Sequence, residues 1–183
     1  MVGLLADVTI ADTWFDGASA GLLLLRVVAG LSLAAHGYNK FFGGGKIPGT
    51  AAWFDSMGMK PNGKIHAVLA ACTELGTGIL FAVGLLTPLA AAGCVGLMVV
   101  AFWTVHRPNG FFIVKSGYEY NLILGTLMVA VAMIGPGKYS LDWAFGLDFA
   151  FDPWLALALS AGLGILAGVG LLAAFYRPPA KDE

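Results

Sequence analysis

The amino-acid sequence predicts an all-α protein, a polytopic membrane helix bundle. Three observations predict it. Hydrophobic residues make up 58% of the chain and charged residues only 11%, against about 25% charged in a soluble domain, and the mean hydropathy is +0.82. Five segments, about 18–36, 66–86, 88–106, 119–135 and 154–176, approach the roughly 20 apolar residues that cross a bilayer. The breaks between them carry turn signals, among them "LLTPLA", "HRPNGFF" and "GPGKYSLDW". The length of 183 residues is that of one domain, and a net charge of −1 gives no basis for nucleic-acid binding.

The elements follow in order. Residues 1–17 form an acidic segment with Asp7, Asp12 and Asp16 and no Lys or Arg. A signal peptide needs a basic start, so no cleavage is expected. No lipidation motif is present. Span one is followed by a loop containing "GTAAWFDSMGMKP". That stretch reads either as a short helix in the membrane interface or as a loop packing Trp53, Phe54, Met57 and Met59 onto the bundle. Spans two and three form an antiparallel hairpin through the turn at Thr87-Pro88. Span four is the shortest. In span five, Ser160, Gly164 and Gly168 recur every four residues, a small-residue stripe that allows close helix contact. Packing onto the bundle is the favoured use of it, with a homo-oligomer contact as the alternative.

Basic residues set the orientation. Lys40, Lys46, Lys60, Lys64, Arg107, Lys115, Arg177 and Lys181 fall on one side. The other side has Lys138, with Asp7, Asp12, Asp16, Asp142, Asp148 and Asp152. By the positive-inside rule the N-terminus is expected outside the plasma membrane and the C-terminus in the cytoplasm.

Arg26 lies inside span one, where a cation costs about 2.5–3.5 kcal/mol on insertion scales and calls for a partner. Glu74 is the acidic residue deep in a span. With His36 and His66 taken as the cytoplasmic ends of spans one and two, Arg26 is roughly 15 Å deep and Glu74 roughly 12 Å. A buried Arg26–Glu74 ion pair is therefore expected. It reads either as a lock on helix register or as the wall of a ligand pocket or proton path; buried ion pairs add little net stability.

His36, His66 and His106 all fall at the cytoplasmic ends of spans, where Asn39, Lys40, Tyr118, Glu119, Tyr120 and Asn121 join them. The set reads as a polar mouth for a headgroup or protons, or as the usual enrichment of His and Tyr at interfaces. No HExxH or CxxCH spacing supports metal or haem. Cys72 and Cys94 differ in height by roughly 9 Å, too far for a disulfide. "FGGGK" lacks the first glycine and the Ser/Thr of a phosphate loop.

"RVVAGLSLAAHGYNKFFG", "AAWFDSMGMKP", "ELGTGILFAVGLLTPLAA", "VHRPNGFF", "GYEYNLIL" and "GPGKYSLDW", in that order over about 22–146, resemble the DoxX family. The resemblance implies a four-helix membrane core (18–146), with the fifth helix (147–176) and the tail (177–183) as additions. It implies a link to quinone- or sulfur-dependent redox complexes with soluble redox partners at the cytoplasmic face. The positions matching its motifs are Arg26, His36, Lys40, Glu74, His106, Asn109, Glu119 and Tyr120. It supplies no catalytic residues. The expected function is a membrane subunit of a redox complex, with a quinone as the cofactor that fits between the helices. The alternatives are a non-enzymatic anchor or assembly factor and, less favoured for want of an inverted repeat, a small-solute or proton transporter.

Overall fold

A computed structural model describes the backbone of residues 2–147 and 152–178 and the side chains of 12–147 and 152–178. The expectations for Asp7, Asp148 and Lys181 lie outside these described residues. Helix α1 runs unbroken over Val2–Phe42. The short α2 (Lys46–Met57) leads into α3 (Gly63–Val83) and α4 (Thr87–Ala101). Helix α4 continues through a π turn, Phe102–His106, and a 3₁₀ turn, Arg107–Asn109. Next come α5 (Glu119–Ile134) and the one-turn α6 (Leu141–Ala144). Helix α7 (Pro153–Leu157) passes through a π stretch, Ala158–Leu163, into α8 (Gly164–Phe175).

Four stretches are long and apolar enough to cross a membrane: Asp12–Phe42, Gly63–Val83, Thr87–Asn109 and Pro153–Phe175. The expected fourth span is helical but falls short of that length, at 16 residues. Gly117, buried against Phe111, and Gly135, at a φ of 99°, bracket it. Helix α1 also differs from expectation. It does not stop at His36 but continues through "GYNKFF" to the glycine run at 43–45, because nothing in that stretch breaks a helix.

The packing is that of a lipid-solvated bundle. Buried positions are small: Ala67, Ala71, Ala90 and Ala91 are almost fully covered, while Leu24, Val28, Leu31, Ile79, Leu122 and Leu166 face outward. Lipid tails solvate Leu as well as a protein core does, so association depends on close contact through small residues. The α1–α3 seam is built this way. A Cβ on Gly30 would lie 2.5 Å from the Gly78 carbonyl, one on Gly78 would lie 2.5 Å from the Gly30 carbonyl, and one on Gly37 would lie 2.6 Å from the Ala71 carbonyl. The small-residue stripe of the last helix packs onto α4, as expected: a Cβ on Gly164 would meet the Ala92 carbonyl at 2.7 Å and one on Gly168 the Gly96 carbonyl at 2.9 Å. Buried Ser160 turns its hydroxyl back onto the Ala156 carbonyl at 2.6 Å.

The α3–α4 hairpin forms at the expected place, with Gly84 at φ 67° closing α3 and Pro88 in the first turn of α4. Its start is capped from a distance. Asp142 accepts from Leu86 N (2.7 Å), Thr87 N (3.0 Å) and Thr87 Oγ1 (2.7 Å), placing a carboxylate at a helix N-terminus.

At the other end, α2 is helical, and Met59 after it is buried while Trp53 stays half exposed. Lys60 N donates to Phe175 O (2.8 Å) and Arg177 N to Gly58 O (2.9 Å). The first loop and the end of α8 therefore meet at one end of the bundle, as the charge pattern requires.

Gly78→Val should lower the stability of the bundle by about 1–3 kcal/mol, the cost of overpacking a tight core. Gly76→Ala, whose Cβ would meet nothing within 4 Å, should be neutral or stabilising. Thermal melts in mild detergent check this; a Gly78→Val protein that melts like the parent contradicts the seam.

Candidate functional site

The α1–α3 register decides which charges meet. Gly37 packs between Ala71 and Leu75, and Gly30 between Gly78 and Ala82. His36 is therefore level with the region of Glu74 rather than with His66. Arg26 is level with Gly84, roughly 15 Å along α3 from Glu74. The expected Arg26–Glu74 ion pair does not form. The depth argument misplaced the end of α1, which extends to Phe42.

Glu74 pairs instead with Lys40, whose Nζ lies 2.6 Å from both carboxylate oxygens. The pair sits across α1 and α3, with both side chains mostly covered. Arg26, fully buried, donates to two backbone carbonyls, from Nη1 to Ala82 O at 3.2 Å and from Nη2 to Tyr139 O at 2.6 Å. Asp142 supplies compensating negative charge without a direct hydrogen bond to it. Nearby, Lys138 Nζ donates to Asp16 Oδ1 and Lys138 N to Ser19 Oγ, tying α1 to the α5–α6 loop. The bond to Asp16 raises the Lys138 ammonium above its ordinary value. The two charged centres thus lie at opposite ends of the bundle.

The Lys40–Glu74 end is hollow. A cavity of about 610 Å³ opens among α1, α2, α3, α4, α5 and α8, within the usual range for small-molecule sites. Its wall is mainly apolar. Its polar groups are the Lys40–Glu74 pair and the side chains of His36, His66, His106, Tyr120, Asn121, Thr73 and Thr104. His36 packs on Tyr120 with ring centroids 5.8 Å apart. His66 is fixed by Lys60 O at 2.6 Å and leans on Phe175. His106 is fixed by Ser116 O at 2.7 Å. Three polar atoms on residues that line the cavity, His66 Nδ1, Tyr120 Oη and Asn121 Oδ1, are buried without a partner among the described residues. Buried polar groups are normally satisfied, so these three stand out in the wall.

Of the expected mouth residues, His36, Lys40, His66, His106, Tyr120 and Asn121 line the cavity. Asn109 and Glu119 do not. Asn109 Nδ2 donates to Val105 O and Ser116 O, and Glu119 Oε2 accepts from Ile113 N at 2.9 Å. Both fold the loop that holds His106. Asp142 was passed over as a site residue. Asp142 carried no signal beyond its charge. Cys72 and Cys94 are both free thiols. Among the described residues no three His, Cys, Asp or Glu side chains gather as a metal site.

Fold and cavity together define a polytopic membrane bundle with a polar-edged pocket at its basic end. The family model for DoxX matches residues 21–107, which span most of α1 through the end of α4. A curated relative from Bacillus subtilis (strain 168), named "Putative oxidoreductase CatD", is 31% identical over 111 residues, covering 61% of this chain and 78% of the relative. The chain belongs to the DoxX family. No solved structure matches it.

Asp142→Asn should cost about 1–3 kcal/mol, because an amide turns a donor toward the donors at the start of α4 and removes the charge near buried Arg26. Comparing its melt with that of Asp152→Asn, at an exposed cap of α7, checks this; equal melts contradict it.

Proposed function

We propose that this chain is a membrane subunit of a redox complex and that its cavity receives a quinone headgroup. The observation that carries the reading is the cavity itself. It is apolar enough for a lipid-soluble ring, and Tyr120 and Asn121 line it together with the Lys40–Glu74 pair. The name of the Bacillus subtilis relative points the same way.

When bound, a quinone would supply two-electron chemistry. Tyr120 and Asn121 would hold its polar edge. Glu74, placed by Lys40, would take or give protons at the loop end. His36 and His106 would connect that carboxylate with the mouth. At the far end, Arg26 and Asp142 are engaged in holding the α3–α4 hairpin, so protons would exchange on one side of the membrane. The electron-carrying centre would belong to a soluble partner. That partner would dock on the end carrying Lys46, Lys60, Lys64, Arg107, Lys115 and Arg177, and the positive-inside rule makes this end cytoplasmic in the plasma membrane. Helix α8 adds a wall to the pocket, through Ala167, Gly168 and Leu171, beyond the segment that the family model covers.

The test is purification from native membranes in gentle detergent, with mass spectrometry of the lipids, quinones and proteins that accompany the chain. A stoichiometric redox enzyme or a bound quinone is expected; a clean, ligand-free chain contradicts the reading. In the purified complex, Glu74→Gln should abolish quinone turnover while the protein still accumulates in the membrane. Unchanged turnover in that variant would remove the Lys40–Glu74 pair from the mechanism.

A further inference from the structure

We infer that the ligand's apolar tail leaves the cavity sideways, through a cleft between α3 and α8 that opens onto the hydrocarbon of the bilayer. This rests on the quinone reading above and adds to it where the tail lies and from which side the ligand enters.

Helix α4 is the floor of the cleft. Helices α3 and α8 each pack on α4 but scarcely on one another. Two glycines of α4 lie between them. A Cβ on Gly93 would meet the Thr77 side chain, on the α3 side, whereas one on Gly96 would lie 3.3 Å from the Gly164 carbonyl, on the α8 side. Residues three apart are neighbours on a helix surface, so these two bare positions lie side by side and keep the floor low. The walls continue the cavity. Leu69, Ala70 and Thr73 line it from α3, and Ala167, Gly168 and Leu171 line it from α8. Thr73 is the single polar residue of the six. Leu69 is 49% exposed and Ala167 is exposed as well, while both line the cavity, so they form its outer rim.

The other ways out for a tail are bridged. At the loop end the α2–α3 connection is sewn to the last helix through Lys60 N to Phe175 O and Arg177 N to Gly58 O, and His66 packs on Phe175 with ring centroids 5.5 Å apart. Between α1 and α5 the gap is crossed by the His36 ring on Tyr120 and backed by buried Leu33. The rim lies deep. Leu69 and Thr73 are roughly 9 and 15 Å along α3 from Gly63, and Ala167 is roughly 12 Å along α8 from Phe175. The hydrocarbon core of a bilayer is about 30 Å thick, so acyl chains rather than water face the cleft at that depth. A tailed ligand that enters there never leaves hydrocarbon, whereas entry from the loop end would draw each methylene through water at a cost. Its head comes to rest beside Lys40 and Glu74, and its tail stays between α3 and α8.

The test uses the full chain in lipid nanodiscs and a benzoquinone whose decyl tail ends in a diazirine, with decylubiquinone as competitor and mass spectrometry of the labelled peptides. Labelling that decylubiquinone displaces is expected on 69–73 and 167–171. Displaceable labelling on α1, α5 or the loop 110–117 instead overturns the inference and leaves the quinone site standing. Labelling of 69–73 and 167–171 that bound decylubiquinone does not displace is ordinary lipid contact and does the same. No binding of decylubiquinone at all overturns both. Ala167→Phe, which fills the cleft at its rim, should weaken decylubiquinone about tenfold or more and leave the same dimethoxy-methyl ring without a tail within about twofold of the parent. Val169→Phe, on the exposed face of α8 outside the cavity, should change neither. Equal weakening of both quinones by Ala167→Phe, or of neither, overturns the inference. The labelling pattern of the parent decides even where a variant fails to fold.

Discussion

The antiparallel contact of α1 with α3 is the constraint on which the rest depends. Gly30, Gly37, Ala71 and Gly78 bring two backbones together so closely that a side chain on any of the glycines would meet main-chain atoms. In lipid, where burying leucine gains little, such contacts supply the attraction and also fix the register. Once Gly37 sits between Ala71 and Leu75, every charge on the two helices has its level assigned. Lys40 can reach back to Glu74, and Arg26 falls beside the hairpin at the other end.

The two buried charged centres then have different work. Arg26 spends its guanidinium on the carbonyls of Ala82 and Tyr139, close to the turn at Gly84. Asp142, from the far loop, caps α4. Apart from the Arg26 Nε, which has no partner among the described residues, this end is closely bonded, and it joins α1, α3, α4 and the α5–α6 loop into one unit. The Lys40–Glu74 end is the reverse. Its ion pair faces a hollow lined by apolar side chains and a few polar ones. Charges inside a membrane are expensive. A closed end and an open end in one small bundle are what a membrane subunit needs if it holds a polar-headed ligand and passes protons to one side only.

The spans, the hairpin at Thr87-Pro88 and the contact stripe of Ser160, Gly164 and Gly168 were legible in the sequence, because hydropathy, turn residues and small-residue spacing encode them directly. The partners of Arg26 and Glu74 were not. A hydropathy profile locates the middle of a span but not its polar end. The "NKFF" that follows His36 and Tyr38 reads as a boundary, yet it is one more turn of helix. That error slid the two helices past each other and gave Glu74 the wrong cation. The carbonyls that hold Arg26 were invisible for a different reason: every residue has one, and only the fold decides which are left free. Asn109 and Glu119, expected at the mouth, bond the loop that holds His106 rather than line the cavity. Spacing reveals height in the bundle, not the direction of a side chain.

The register is tested most directly by two double-mutant cycles in mild detergent, one on Lys40 and Glu74 and the other on Arg26 and Glu74, each using apolar replacements of similar volume. Residues in contact show coupling energies of about 0.5–3 kcal/mol, whereas well-separated sites add to within about 0.5 kcal/mol. Strong coupling in the first cycle and additivity in the second is the predicted result. Coupling between Arg26 and Glu74, with additivity between Lys40 and Glu74, would contradict the register and the cavity built on it.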